Sequence, residues 1–248
     1  MEIREEHIRT AMLLGENAMQ RLASARVAVF GVGGVGGHLC EALARAGVGA
    51  IDLFDNDRVS LSNINRQAVA AHSTVGRFKV EVMRERILDI APSCTVRAYP
   101  TFYLPENADD YPLNEYDYVA DAVDTVSAKL ELAIRADRDG IPLIAAMGAG
   151  NRTDPTRFHV TDLFSTSGCP LARVMRRELK ARGIRHLKVV FSDEPTATRP
   201  IDAPVVVPDP ETRKTPPASL PFVPSAVGLI MAREIVFDLI APPKINRS

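Results

Sequence analysis

The stretch Arg26-Val27-Ala28-Val29-Phe30-Gly31-Val32-Gly33-Gly34-Val35-Gly36 decides the fold. Arg26 to Phe30 is a short apolar run that ends in glycine and reads as a buried strand. Beyond the glycines, Val35, Leu39, Leu43 and Ala46 fall on one face of a helix, and Gly47 supplies its stop. The run Gly31, Gly33, Gly34 and Gly36 therefore lies between a strand and a helix, the setting that a nucleotide loop requires. Gly31 permits the tight turn, Gly33 lets the backbone approach a phosphate, and Gly36 lets the helix pack closely. The helix start then aims its free amides at the anion. A tight turn without a ligand is the bland alternative, and the loop alone does not separate ATP from NAD or FAD.

Working outward, strands are expected at Ala50 to Phe54, Thr95 to Tyr99, Tyr116 to Ala122 and Ile141 to Met147. Helices are expected over residues 8 to 23, Val75 to Ile90 and Ser127 to Asp139. This alternation predicts an α/β fold, a Rossmann-like doubly wound sheet with mostly parallel strands. After Gly150 the pattern changes. Strands at Phe158 to Leu163 and Leu187 to Ser192, with helices at Leu171 to Arg182 and Val223 to Ile240, form a C-terminal extension of mixed elements. The proline-rich stretch 195 to 221 reads as a long loop, a lid over the site. The expected organisation is one domain over 1–248, with a nucleotide-binding core at 1–150 and a substrate-binding extension at 151–248.

Composition narrows the function classes. Apolar residues make up 46% and charged residues 25%, the balance of a soluble globular protein, and the net charge of −1 gives no global basic field. The opening Met1 to Glu6 lacks the apolar core of a signal peptide. The apolar stretch Ala226 to Ile240 is broken by Arg233, Glu234 and Asp238, so no membrane span is expected. Cys40, Cys94 and Cys169 are dispersed without a CxxC pair, which argues against a disulfide framework or a thiolate zinc site and for a reducing cytoplasm.

Asp55, at the end of the second strand, suits ribose hydroxyls of either nucleotide type. The residues after it discriminate. Asp55 to Gln67 is unusually polar for a connection, and an NAD- or FAD-dependent oxidoreductase has no use for it. A site that splits ATP between the α- and β-phosphates must neutralise pyrophosphate and a five-coordinate phosphorus, work suited to arginine forks and lysine charges. Arg66 and Lys79 are the candidates. Each polar residue has a plainer reading: Asp57 or Asn63 as turn caps, Arg66 as a surface ion pair, Lys79 as a solvated helix residue, and Asp121 and Asp124 as caps of the next helix.

Taken in order, Gly31 to Gly36, Asp55-x-Asp57, Asn63-x-Asn65-Arg66-Gln67, Lys79 and Asp121-x-x-Asp124 resemble the ubiquitin-activating/MoeB/ThiF superfamily. The resemblance implies ATP-dependent adenylation of a carboxylate. It places Asp55 on the ribose, Asn63 and Arg66 on the phosphates, Lys79 beside the transferring phosphate and Asp124 on Mg²⁺, with Asp57 and Gln67 lining the pocket. One branch adenylates the C-terminus of a ubiquitin-like sulfur-carrier protein, and its members usually carry paired CxxC motifs absent here. Leu13-Leu14-Gly15, Glu41 to Gly49, Val75-Gly76-x-x-Lys79, Gly148-Ala149-Gly150, Asp154-Pro155-Thr156 and Ser219 to Leu229 instead are similar to the tRNA threonylcarbamoyladenosine dehydratases.

That branch implies a tRNA substrate, intramolecular ring closure with net dehydration, and a homodimer in which Arg9 is the candidate to reach the partner's site. No enzyme nucleophile is needed, and Cys169 reads as a buried thiol. Arg173, Arg176, Arg177 and Lys180 recur at helical spacing and either track tRNA phosphates or form a solvated helix face. His186 has no partner at metal-ligand spacing.

Overall fold

The first strand, β1 (Arg26–Phe30), carries the centre of the molecule, and its side chains alternate between two apolar layers. In the computed structural model, which describes residues 3–198, 200–204 and 215–241, Val27 and Val29 enter one layer and Ala28 and Phe30 the other. Both faces must therefore be covered by helices. α2 (Glu16–Ser24), α3 (Gly36–Ala46), α4 (Lys79–Ile90) and α7 (Phe222–Ile240) cover the first. α5 (Val126–Asp139) and α6 (Pro170–Ala181) cover the second.

Beside β1 stand β2 (Ala50–Phe54) and β3 (Thr95–Tyr99) on one side, and β4 (Tyr118–Asp121) and β5 (Leu143–Ala146) on the other. With β6 (Phe158–Asp162) and β7 (Lys188–Ser192) the sheet runs β3-β2-β1-β4-β5-β7-β6. All pairings are parallel except that of the edge strand β6 with β7. The doubly wound α/β expectation holds, and the strands after residue 150 lengthen the same sheet. The strand order reverses between β1 and β4, so a crevice opens at the carboxyl ends of these two strands.

Two helices differ from expectation by more than one residue. Residues 8 to 23 form not one helix but α1 (Ile8–Leu14) and α2, because Gly15 adopts φ +85° and turns the chain between them. The helix expected from Val75 begins only at Lys79. Gly76 takes φ +89°, and Phe78 stays extended and bridges Arg58, so the segment lies against the 57–59 chain instead of coiling. Among the described residues, no helix is long and apolar enough to cross a membrane.

α7 closes the fold from the far end of the chain. Val227, Met231 and Ile235 are fully buried under it, and it packs against α3. Gly228 makes the crossing: a Cβ there would lie 2.4 Å from the Val35 carbonyl oxygen and 3.0 Å from the Leu39 nitrogen. These are backbone atoms at the start of α3 and cannot rotate away. Gly228→Ala gains helix propensity but overpacks this crossing, and the second effect wins. A net loss of about 1–2 kcal/mol is expected, read as a lower urea midpoint at unchanged slope; an unaltered midpoint would mean that α7 slides freely on α3.

Candidate active site

The crevice at the switch point is a cleft of about 530 Å³, a size suited to a nucleotide-sized ligand. Its glycines do different jobs. A Cβ on Gly31, which has φ +89°, would sit 2.7 Å from the Ala122 carbonyl oxygen, and one on Gly36 would sit 1.8 Å from that of Gly31. These two let the loop lie flat on the exit of β4 and let α3 start beneath it. Gly36 itself is not on the cleft wall. Gly34 fits against Pro224 of α7, where a Cβ would be 3.2 Å from the proline side chain. Only Gly33 faces open space, with Gln67 Nε2 at 3.9 Å as the nearest atom to a Cβ. It is the position where bare backbone meets the cleft.

Asp55 has work before any ligand arrives. Its Oδ2 accepts from Val32 N at 2.7 Å and its Oδ1 from Asp57 N at 2.8 Å, which ties the glycine loop to the end of β2. Burial pushes its carboxyl pKa up, against the opposing pull of Lys79 and of the two backbone donors. Each oxygen retains a second lone pair, so ribose hydroxyls can still be received.

Lys79 is not a solvated helix residue. It is 4% exposed, and its Nζ donates to Asp57 Oδ2 at 2.6 Å while its own amide donates to the Asp57 carbonyl. Asn63 does cap a turn, its Oδ1 accepting from Ser60 N at 3.1 Å, and it also lines the cleft. Gln67 is buried on the wall with its Oε1 unmatched.

Arg66 stands apart electrostatically. It is half-buried, and its guanidinium donates to the Ser62 carbonyl and to Asn65 Oδ1, both at 2.9 Å. Among the described residues no carboxylate lies within ion-pair distance of it. Burial holds its pKa below the ordinary arginine value. An arginine stays charged in a protein, so this is an uncompensated cation on the cleft wall.

Asp124 faces Arg66's cleft as the exposed acid at the exit of β4. Among the described residues its carboxylate receives only a long bond from the Thr125 hydroxyl, 3.4 Å, and it does not cap α5. Asp121 does not cap α5 either: it is buried and paired with Lys129 at 2.9 Å. Among the described residues no three His, Cys, Asp or Glu side chains gather as a metal cage. An exposed carboxylate on the wall of a nucleotide-sized cleft nevertheless suits Mg²⁺, which is commonly held by one or two carboxylates and substrate phosphates. The residues present fit that ion.

Thr101 to Tyr103 and Met147 also line the cleft, which sequence reasoning did not assign, and so do Gly148 to Gly150. Pro217 and Ser219, at the end of the proline-rich stretch expected over the site, line it as well. This strap is latched. Asn151, at φ +55°, exchanges two hydrogen bonds with Ala218, and Asn65 Nδ2 donates to the Ser219 carbonyl at 3.0 Å. The proline count signalled a loop, but long-range pairing of this kind leaves no local pattern. The lid expectation for residue 199 and residues 205–214 lies outside the described residues.

α6 begins at the cleft edge with Leu171 and carries the basic cluster away from it. Arg173, Arg177 and Lys180 are exposed, but Arg177 pairs with Glu178, and Arg176 turns inward to the Thr166 hydroxyl. The face is thus less uniformly cationic than the spacing suggests. All three cysteines are free and buried.

Comparison with known proteins fits this geometry. The chain is 43% identical over 244 residues to the tRNA threonylcarbamoyladenosine dehydratase of Bacillus subtilis, covering 96% of both chains. It is 46% identical over 172 residues to the Escherichia coli dehydratase, covering 69% of this chain and 64% of that one. Crystal structures of the Escherichia coli enzyme in complex with AMP and with ATP superpose with a TM-score of 0.85 at 36% identity, covering 96% of this chain and 94% of those. A model of the ThiF family matches residues 6–245. Because that match runs through both halves of the sheet and every wall of the cleft, the chain belongs to the ThiF family.

Proposed function

We propose that this protein uses ATP and Mg²⁺ to adenylate the threonyl carboxylate of threonylcarbamoyladenosine in tRNA, with ring closure and net dehydration following. The observation that carries the reading is Arg66, a half-buried cation with no carboxylate partner among the described residues, in one cleft with Lys79 and the free Asp124. A hydride-transfer enzyme leaves all three without work. The names of the relatives, and the ATP and AMP complexes of the Escherichia coli enzyme, support the same reading.

In this mechanism Gly33 presents backbone to the phosphates and Asp55 receives the ribose hydroxyls. The substrate carboxylate oxygen attacks the α-phosphorus, the bond to the β-phosphate oxygen breaks, and pyrophosphate leaves. Arg66 and Asn63 hold the phosphate oxygens on which charge grows, and Lys79 gives a second cation beside them. Gln67 and Asp57 orient these groups from the wall. Mg²⁺, when bound at Asp124, supplies charge neutralisation for the departing pyrophosphate. The carbamoyl group of the same side chain then closes a ring on the acyl carbon, giving up a proton as the acyl–phosphate C–O bond breaks and AMP leaves, a step made fast by proximity. The strap at 217–219 and the start of α6 flank the mouth, so the modified nucleoside enters there while Arg173, Arg177 and Lys180 follow the tRNA backbone. Residues 1–248 act as one adenylating unit, in the cytoplasm. In the homodimer, the exposed Met12 and Leu13 of α1 are covered by the partner, and Arg9 reaches toward its cleft.

The first test incubates the protein with ATP, Mg²⁺ and threonylcarbamoyladenosine-bearing tRNA, then weighs the nucleoside. Loss of one water that depends on ATP is expected; an unchanged mass alongside pyrophosphate release would move the substrate to a protein carboxylate. Arg66→Ala is expected to slow pyrophosphate release by about 10²–10³-fold, and Asp124→Ala to abolish Mg²⁺-dependent pyrophosphate release. Near-normal release by either variant would remove that residue from its role. Arg173→Glu with Lys180→Glu is expected to raise KM for tRNA and flatten its salt dependence while KM for ATP holds; equal changes in both would place α6 outside the tRNA path.

A further inference from the structure

Asp121 and Lys129 form a buried ion pair that the adenylation mechanism does not use. Asp121 is the last residue of β4 and Lys129 sits one turn into α5; they are 1% and 0% exposed. Lys129 Nζ donates to Asp121 Oδ1 at 2.9 Å and to the Val123 carbonyl at 3.1 Å. The same Asp121 oxygen accepts from Val123 N at 3.2 Å. Both polar groups of one peptide unit's residue, Val123, are thus held by one ion pair. The residue before it is fixed by Ala122 N donating to the Phe30 carbonyl at 2.8 Å. The residue after it is Asp124, whose exposed carboxylate lines the cleft and accepts one long bond from the Thr125 hydroxyl. Lys129 itself is not on the cleft wall.

Stability gives a weak reason for such a pair, since replacing a buried ion pair with apolar groups is often neutral or stabilising. This pair is also imperfect, because Asp121 Oδ2 is buried without a partner. What an apolar pair could not do is grip both the amide and the carbonyl of Val123. We infer that Asp121 and Lys129 are positioning residues: they clamp Val123 so that the Asp124 carboxylate is presented at a fixed height to the nucleotide-bound Mg²⁺. The inference rests on the proposed ATP and Mg²⁺ site and deepens it by naming what sets the metal ligand in place.

The test separates placement from folding in the full-length chain. Lys129→Met alone leaves a buried unpaired acid and is expected to lower the urea midpoint strongly. Lys129→Met with Asp121→Leu removes both charges and is expected to recover most of that stability. Two readouts follow: the gain in Tm on adding Mg²⁺ to the ATP complex beyond ATP alone, and the Mg²⁺ concentration for half-maximal pyrophosphate release. In the double variant the Mg²⁺ increment in Tm should vanish and the half-maximal concentration should rise by about 10–100-fold, the usual effect of losing a group that orients a metal ligand, while KM for ATP changes little. Asp121→Asn keeps an acceptor for Val123 N but leaves the buried Lys129 ammonium without its counter-charge, so its urea midpoint should fall while its half-maximal Mg²⁺ concentration rises less than that of the double variant. A double variant with unchanged Mg²⁺ dependence, or an Asp121→Asn variant as impaired as the double, would overturn the inference. An unsubstituted chain with no Mg²⁺ increment at all would overturn the metal site itself, and this inference with it.

Discussion

The carbonyl oxygen of Ala122 lies so close to Gly31 that a Cβ there would be 2.7 Å from it, and the Gly31 carbonyl in turn leaves no room for a Cβ on Gly36. This stacked contact joins the exit of β1 to the exit of β4, the two strands between which the sheet reverses its order. Much of the site depends on it. It sets the height of the glycine loop, the starting point of α3 and the path of the chain toward Asp124. Only glycine satisfies both positions: one needs a left-handed φ and both need the space of a missing side chain.

Around that contact, charge is distributed unevenly, and the unevenness gives the cleft its character. Asp55 holds loop amides, Asp57 holds Lys79, and Asp121 holds Lys129. Arg66 is bonded to neutral oxygens and Asp124 to one distant hydroxyl. A cation and an anion that line one cleft with no ion-pair partner among the described residues are costly in an empty site and would be productive in one that receives polyphosphate and its metal. The polar clamp on Val123 suits the proposed role of Asp124, since a carboxylate that is to meet a metal is useful only when its backbone cannot drift.

The C-terminal third of the chain completes the site. α7 presses Gly228 onto the first turn of α3 and Pro224 onto Gly34, so the last helix supports the first loop. The strap before it is latched by Asn151 and Asn65, and Asn65 also accepts from Arg66. Through that one amide, the segment flanking the mouth is tied to the cation inside it.

The sheet and its order of elements were legible because they rest on local patterns: apolar runs of strand length, helical periodicity and glycines at the junctions. Arg66 and Lys79 after β2 were legible as candidate phosphate cations, while Asn63 was placed beside them by the family resemblance. The breaks at Gly15 and Gly76 were less so. A lone glycine inside a helical pattern is tolerated in many helices, and only packing decided that both adopt positive φ here. Tertiary structure alone decided which acids were already spent. Asp121 and Asp124 stand three residues apart with similar surroundings in the sequence, yet one meets Lys129 in the core and the other meets solvent in the cleft. Composition and spacing therefore determined the fold class and pointed to the glycine loop, Asp55, Arg66 and Lys79 as candidates. The partners of each charge, the strap over the mouth and the fixing of Asp124 were set by contacts between segments distant in the chain, which no local pattern encodes.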